Sequence, residues 1–101
     1  MAGRKFKFHD GDSGAALAIR IKLSKKKSGF ANVLRDGTIV VRLERGTNDI
    51  NENLIGFLSQ ELKIPKKRLQ VIAGEDGENK LISIVDMDPK KIQKKILELL
   101  P

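Results

Sequence analysis

In "AALAIRIKL" (15–23), apolar and polar positions alternate. Leu17, Ile19, Ile21 and Leu23 share one side, and Ala18, Arg20 and Lys22 share the other. A period of two marks a half-buried strand. "TIVVRLE" (38–44) repeats the pattern, with Ile39, Val41 and Leu43 inward and Arg42 outward. Between them, "SKKKSGFANVLRDG" reads as a loop closed by Asp36-Gly37. From Ile50 the period changes. Leu54, Phe57, Leu58 and Leu62 form a single helical stripe that Pro65 ends. Asn48 or Asp49 can cap this helix, and Asp49 with Glu52 has capping-box spacing. "LQVIAG" and "KLISIV" are rich in β-branched residues and predict two strands joined through the glycines of "GEDGENK". Asp88-Pro89 then opens a second helix, with Ile92, Ile96, Leu99 and Leu100 as its stripe. Lys90 and Lys94 point away from that stripe, and Lys91 and Lys95 flank it. Near the start, "KFKFH" alternates and offers one further strand before the turn signal "DGDSG".

The order β-β-α-β-β-α predicts an α+β fold: a two-layer α/β sandwich in which a four-stranded mixed sheet, with one extra N-terminal strand in reserve, carries both helices on one face. Arg20, Lys22 and Arg42 then belong to a wet, basic back face. The 101 residues suit one domain, 1–101, with residues 1–4 flexible. A chain of this size hides roughly 65% of its unfolded surface, enough for one core and not for a deep internal cavity.

Composition narrows the function. Apolar residues make up 40% of the chain, which favours folding over disorder. No apolar run approaches the ~20 residues of a membrane helix, and "MAGRKFKFHDGD" has no apolar stretch behind it, so no secretory signal is expected. Cysteine is absent, which removes disulfides, thiolate metal sites and a Cys nucleophile. The expected location is the cytoplasm. Net charge is +7, and residues 1–30 hold 8 basic and 2 acidic side chains, or +6. Three cationic clusters stand out: Arg4, Lys5 and Lys7; Lys25, Lys26 and Lys27; and Lys66, Lys67 and Arg68. "RKFKF" interleaves cations with Phe6 and Phe8, a pairing that can stack on bases. Most of the cations are lysines, which act as point charges and read base edges poorly. The expectation is a non-catalytic binding module that contacts RNA or another polyanion electrostatically. The alternative is a protein–protein adaptor using the open sheet face or a sheet edge.

Catalysis is not expected. His9 is the only histidine and has no cysteine or second histidine to join it. No serine sits in a GxSxG context, and "GEDGENK" is not a phosphate-binding loop. "DGDSG" lacks the closing Glu of a calcium loop. Catalytic residues, metal and cofactor are therefore all expected to be none.

The run "DGTIVVRLERGTNDINENLIGFLSQELKIPKKRLQVIAGEDGENKLISI" resembles the YggU-like domain family, small α/β proteins with no established biochemical function, and the resemblance extends upstream over "FKFHDGDSGAALAIRIKLS". It implies a two-layer sandwich with a mixed sheet. Asp49 and Asn53 match the family's polar pair at the helix start, and Gly74 and Lys80 match its Gly-led hairpin ending in a basic residue. Thr47-Asn48 replaces the usual Pro-Val, Ile50 a Gly, Glu52 an Ala, and Gly77-Glu78 a Ser-Arg. Ser24-Lys25 stands where a proline is common. The chain resembles a divergent member. Asp49 and Asn53, four apart, share a helix face. One reading is a polar site where free helix N–H groups bind an anion. The favoured reading is structural, with Asp49 capping the helix and Asn53 bonding to a neighbouring loop backbone.

Overall fold

A computed structural model describes residues 14–46, 49–74 and 76–101. The elements follow in the order β1 (Gly14–Ser24), β2 (Gly29–Val33), β3 (Ile39–Glu44), α1 (Ile50–Leu62), β4 (Leu69–Ala73), β5 (Asn79–Val85) and α2 (Pro89–Leu99). A single 3-10 turn over Lys66–Arg68 precedes β4. The strands form one five-stranded sheet in the order β2-β3-β1-β5-β4. Only β1 and β3 run parallel, and the other neighbours are antiparallel, so the sheet is mixed.

The α+β class, mixed sheet and two helices agree with the sequence pattern. The strand count does not follow as expected. The fifth strand, β2, comes from the segment read as a loop, while "KFKFH" lies outside the described residues. A bulge between Phe30 and Asn32 explains the miss. It adds a residue, so the buried Phe30 and Val33 are three apart instead of two or four. Alternation, the only sequence signal a short strand offers, is thereby broken.

Leu17, Ile19 and Ile21 of β1 share one buried cluster with Ile39, Val41 and Leu43 of β3, and with Ile82 and Ile84 of β5. Leu54, Leu58 and Leu62 of α1 and Ile92 and Ile96 of α2 join the same cluster, so both helices cover one face of the sheet. Fully burying a side chain of this kind contributes about 1.5–3 kcal/mol. Phe57 is half-buried, with its ring 5.0 Å from that of Phe30 and tilted by 56°, which ties α1 to the edge strand β2. No helix is long and apolar enough to cross a membrane among the described residues.

Strand directions define two ends. β1 and β3 finish at one end, called upper here. The loop Lys25–Lys27, the start of α1 and the β4–β5 hairpin therefore lie there too. α1 runs from the upper end to the lower and delivers the chain to the Lys66–Arg68 turn, beside the end of β5 and the start of α2.

Candidate functional site

The face of the sheet that no element covers among the described residues carries the alternate residues of each strand. Lys22 and Arg42 are register partners on the parallel pair β1 and β3, and Arg20 lies two residues before Lys22. Neighbouring strands lie about 4.8 Å apart, and two residues along a strand span about 6.6 Å. Three cations therefore share one small area at the upper end. Arg20 Nε donates to Asn79 Oδ1 at 2.9 Å, and Arg42 Nε donates to the Lys27 carbonyl at 2.9 Å. Each guanidinium is anchored through one donor, and its Nη groups have no partner among the described residues. None of the three cations pairs with a carboxylate among those residues.

Gly29 permits the Arg42 geometry. The two are register partners, and a Cβ on Gly29 would stand 3.2 Å from Arg42 Nη2. A side chain at position 29 would thus press on the arginine that holds the Lys25–Lys27 loop to the sheet. That local arrangement joins Lys27 to the basic face, a link not visible from chain separation alone.

At the end of β1 this face opens into a cleft of about 700 Å³ lined by Arg20, Lys22, Arg45, Leu23, Ile50, Asp76 and Glu78, among others. Leu23 and Ile50 are large apolar residues left 42% and 41% exposed. Ile50 is the first residue of α1. The Glu78 carbonyl, by contrast, has a structural duty: it accepts from the Ile21 N–H at 2.8 Å. The cleft is therefore cationic and apolar on one wall and acidic on the hairpin side.

The four family-matched positions do not line this cleft. Asp49 is the N-cap of α1: its Oδ1 accepts from the N–H of Asn51 at 2.7 Å and of Glu52 at 3.3 Å. Glu52 contributes its amide, while its side chain stands exposed. Asn53 is half-buried against Gly46, in a separate hollow of about 650 Å³ with Lys27, Glu44 and Phe57. Its side-chain amide has no hydrogen-bond partner among the described residues, so the expected bond to a loop backbone is not formed there. Gly74 and Lys80 do meet: Lys80 Nζ donates to the Gly74 carbonyl at 2.9 Å. Lys80 is only 4% exposed and pairs with Ile19 on the core face. Parity along "KLISIV" could have revealed this, because Lys80 alternates in step with the buried Ile82 and Ile84.

The two cationic clusters among the described residues do not converge. Lys25–Lys27 lies at the upper end and Lys66–Arg68 at the lower, while Arg4, Lys5 and Lys7 fall outside the described residues, as does His9. Lys66 turns back over α1, its Nζ 4.0 Å from where a Cβ on Gly56 would be. Arg68 Nη1 approaches Met87 Sδ at 3.8 Å. Met87 in turn shares a groove of about 170 Å³ with Lys91 and Lys95 of α2. Sequence spacing separated Arg68 from these lysines, and the fold brings them together. Among the described residues no group of three His, Cys, Asp or Glu side chains is placed to hold a metal ion. No known protein-family model matches the chain.

Proposed function

We propose that this chain is a non-catalytic cytoplasmic binding module, a divergent relative of the YggU-like domains, that contacts RNA electrostatically through the upper end of its uncovered sheet face. One observation carries the reading: Arg20, Lys22 and Arg42 stand side by side on the sheet face opposite α1 and α2, without carboxylate partners among the described residues. Cations so placed lose little on meeting phosphate, because no ion pair must first be broken. Lys25, Lys26 and Lys27 extend the field from the adjoining loop, which Arg42 holds in place. The family reading rests on the motif match running from Asp36 to Ile84.

The test is binding of a mixed-sequence single-stranded RNA at two salt concentrations. Four to six neutralised phosphates give a slope of log K against log salt of roughly −3 to −4. Little dependence on sequence is expected, because lysine-dominated contacts position a backbone without reading bases. No binding at low salt would end the proposal. A second reading, a protein–protein adaptor, draws on the edge strand β4, where Ile72 is 48% exposed. An added strand there would pair with free backbone groups. A purified partner whose binding survives nuclease treatment and is lost on Ile72→Pro would favour it.

A further inference from the structure

The two basic regions are far apart. Lys22 lies eight residues beyond Gly14, which pairs with Val85, and Leu69 pairs with Ile84. The level of Lys22 therefore lies about 26 Å along the strand axis from that of Arg68, at about 3.3 Å per residue. That is about three Debye lengths at physiological salt. The regions also belong to different layers: Arg20, Lys22 and Arg42 sit on the uncovered sheet face, while Lys91 and Lys95 sit on a helix of the covered one.

The lower region is assembled by tertiary contact. Arg68 reaches Met87, and Lys91 and Lys95 border the same groove, whose floor includes Ile64 and Ile92. Lys67 is exposed beside Arg68. Of the nearby acids, Asp88 is committed to capping α2, with Oδ1 accepting from the Lys90 N–H at 3.0 Å. Asp86 stands exposed in the preceding turn and Glu98 is exposed on α2 three residues after Lys95, so Lys67, Arg68, Lys91 and Lys95 outnumber the two uncommitted acids.

Resting on the nucleic-acid reading above, we infer that the molecule holds two separate nucleic-acid strands at once, one against each end, and so acts as a strand-bridging module. Two fields separated by three screening lengths neutralise phosphates independently. A strand too short to span them occupies only one.

The experiment uses the full chain and a five-nucleotide single-stranded RNA, about 17 Å long when stacked. Half of the strands carry a donor fluorophore and half an acceptor. At about 0.15 M salt, where the two ends stand some three screening lengths apart, and with light scattering showing a monomeric complex, two strands per protein and energy transfer between them are expected. Lys91→Glu with Lys95→Glu should reduce the stoichiometry to one and abolish transfer, leaving the remaining affinity within about twofold. Arg20→Gln with Lys22→Gln should weaken the strand at the other end without removing Arg42 and Lys25–Lys27, lowering transfer at a fixed strand concentration, which guards against a folding defect in the first variant. Saturation of the unaltered protein at one strand, without transfer, would overturn the inference and leave the single-site reading standing. No binding at all would remove both.

Discussion

Gly74 shows how a single residue can be fixed by backbone geometry alone. Its φ is +76°, and a Cβ there would lie 1.9 Å from the Asn79 carbonyl oxygen. The hairpin must open for any side chain to fit. Gly74→Ala is expected to cost about 2–3 kcal/mol, combining left-handed strain with a backbone clash. Gly77→Ala, whose Cβ would meet nothing closer than 3.9 Å, should change stability by less than about 0.5 kcal/mol. Urea unfolding of the pair checks this, and equal losses would refute the assigned geometry. Lys80 secures the same turn by another route. Its amine and the Gly77 N–H both donate to the Gly74 carbonyl. In Lys80→Met the carbonyl keeps one donor, so a loss of about 1 kcal/mol is expected, not the larger penalty of an orphaned group. A variant that remains fully stable while losing RNA binding would instead make Lys80 a contact residue. The resemblance singled out both positions, but their purpose emerges only when the hairpin closes and the lysine is seen to run beneath it.

At the scale of elements, the quality of the repeat decided what the sequence could reveal. β1 and β3 alternate without interruption, and their inward residues could be named one by one. β2 could not, because its bulge displaces the second inward residue and its loop-like Gly29 and Asn32 conceal the rest. α1 was legible for the same reason as β1: its apolar stripe is regular and its start carries a good cap. Asp49 satisfies two of the N–H groups that every helix leaves open. Asp49→Ala should therefore cost about 1 kcal/mol, while Asp49→Ser should retain most of that. Asn53→Ala should cost less than about 0.5 kcal/mol, since its side chain bonds to nothing among the described residues. Thermal melts of the three variants decide the matter. An Asn53 effect larger than that of Asp49 would show that the hollow beside Gly46 has a structural purpose the geometry does not reveal.

For the whole molecule, charge could be counted from the sequence but not located. The lysine runs are plain in one dimension. Their separation depends on strand order, which sends β3 through α1 to β4 at the far edge and so sets the Lys66–Arg68 turn at the end opposite Lys25–Lys27. Nothing in the local pattern specifies that crossing. Conversely, Arg20, Lys22 and Arg42 were individually legible as outward residues, and the parallel register makes them a group. The size of that group sets a quantitative expectation. Each phosphate neutralised on a single strand steepens the salt slope by about 0.7. If Arg20 and Lys22 each meet one phosphate, Arg20→Gln with Lys22→Gln should flatten the slope for a strand bound at the upper end by about 1.4. The measurement belongs in the Lys91→Glu, Lys95→Glu background, so that one end alone is read. Circular dichroism should show the fold unchanged, because Lys22 makes no side-chain hydrogen bond among the described residues and Arg20 has only its exposed contact with Asn79. Weaker affinity with an unaltered slope would mean that these cations act through the shape of the cleft. An unaltered affinity would move the polyanion contact off this face altogether.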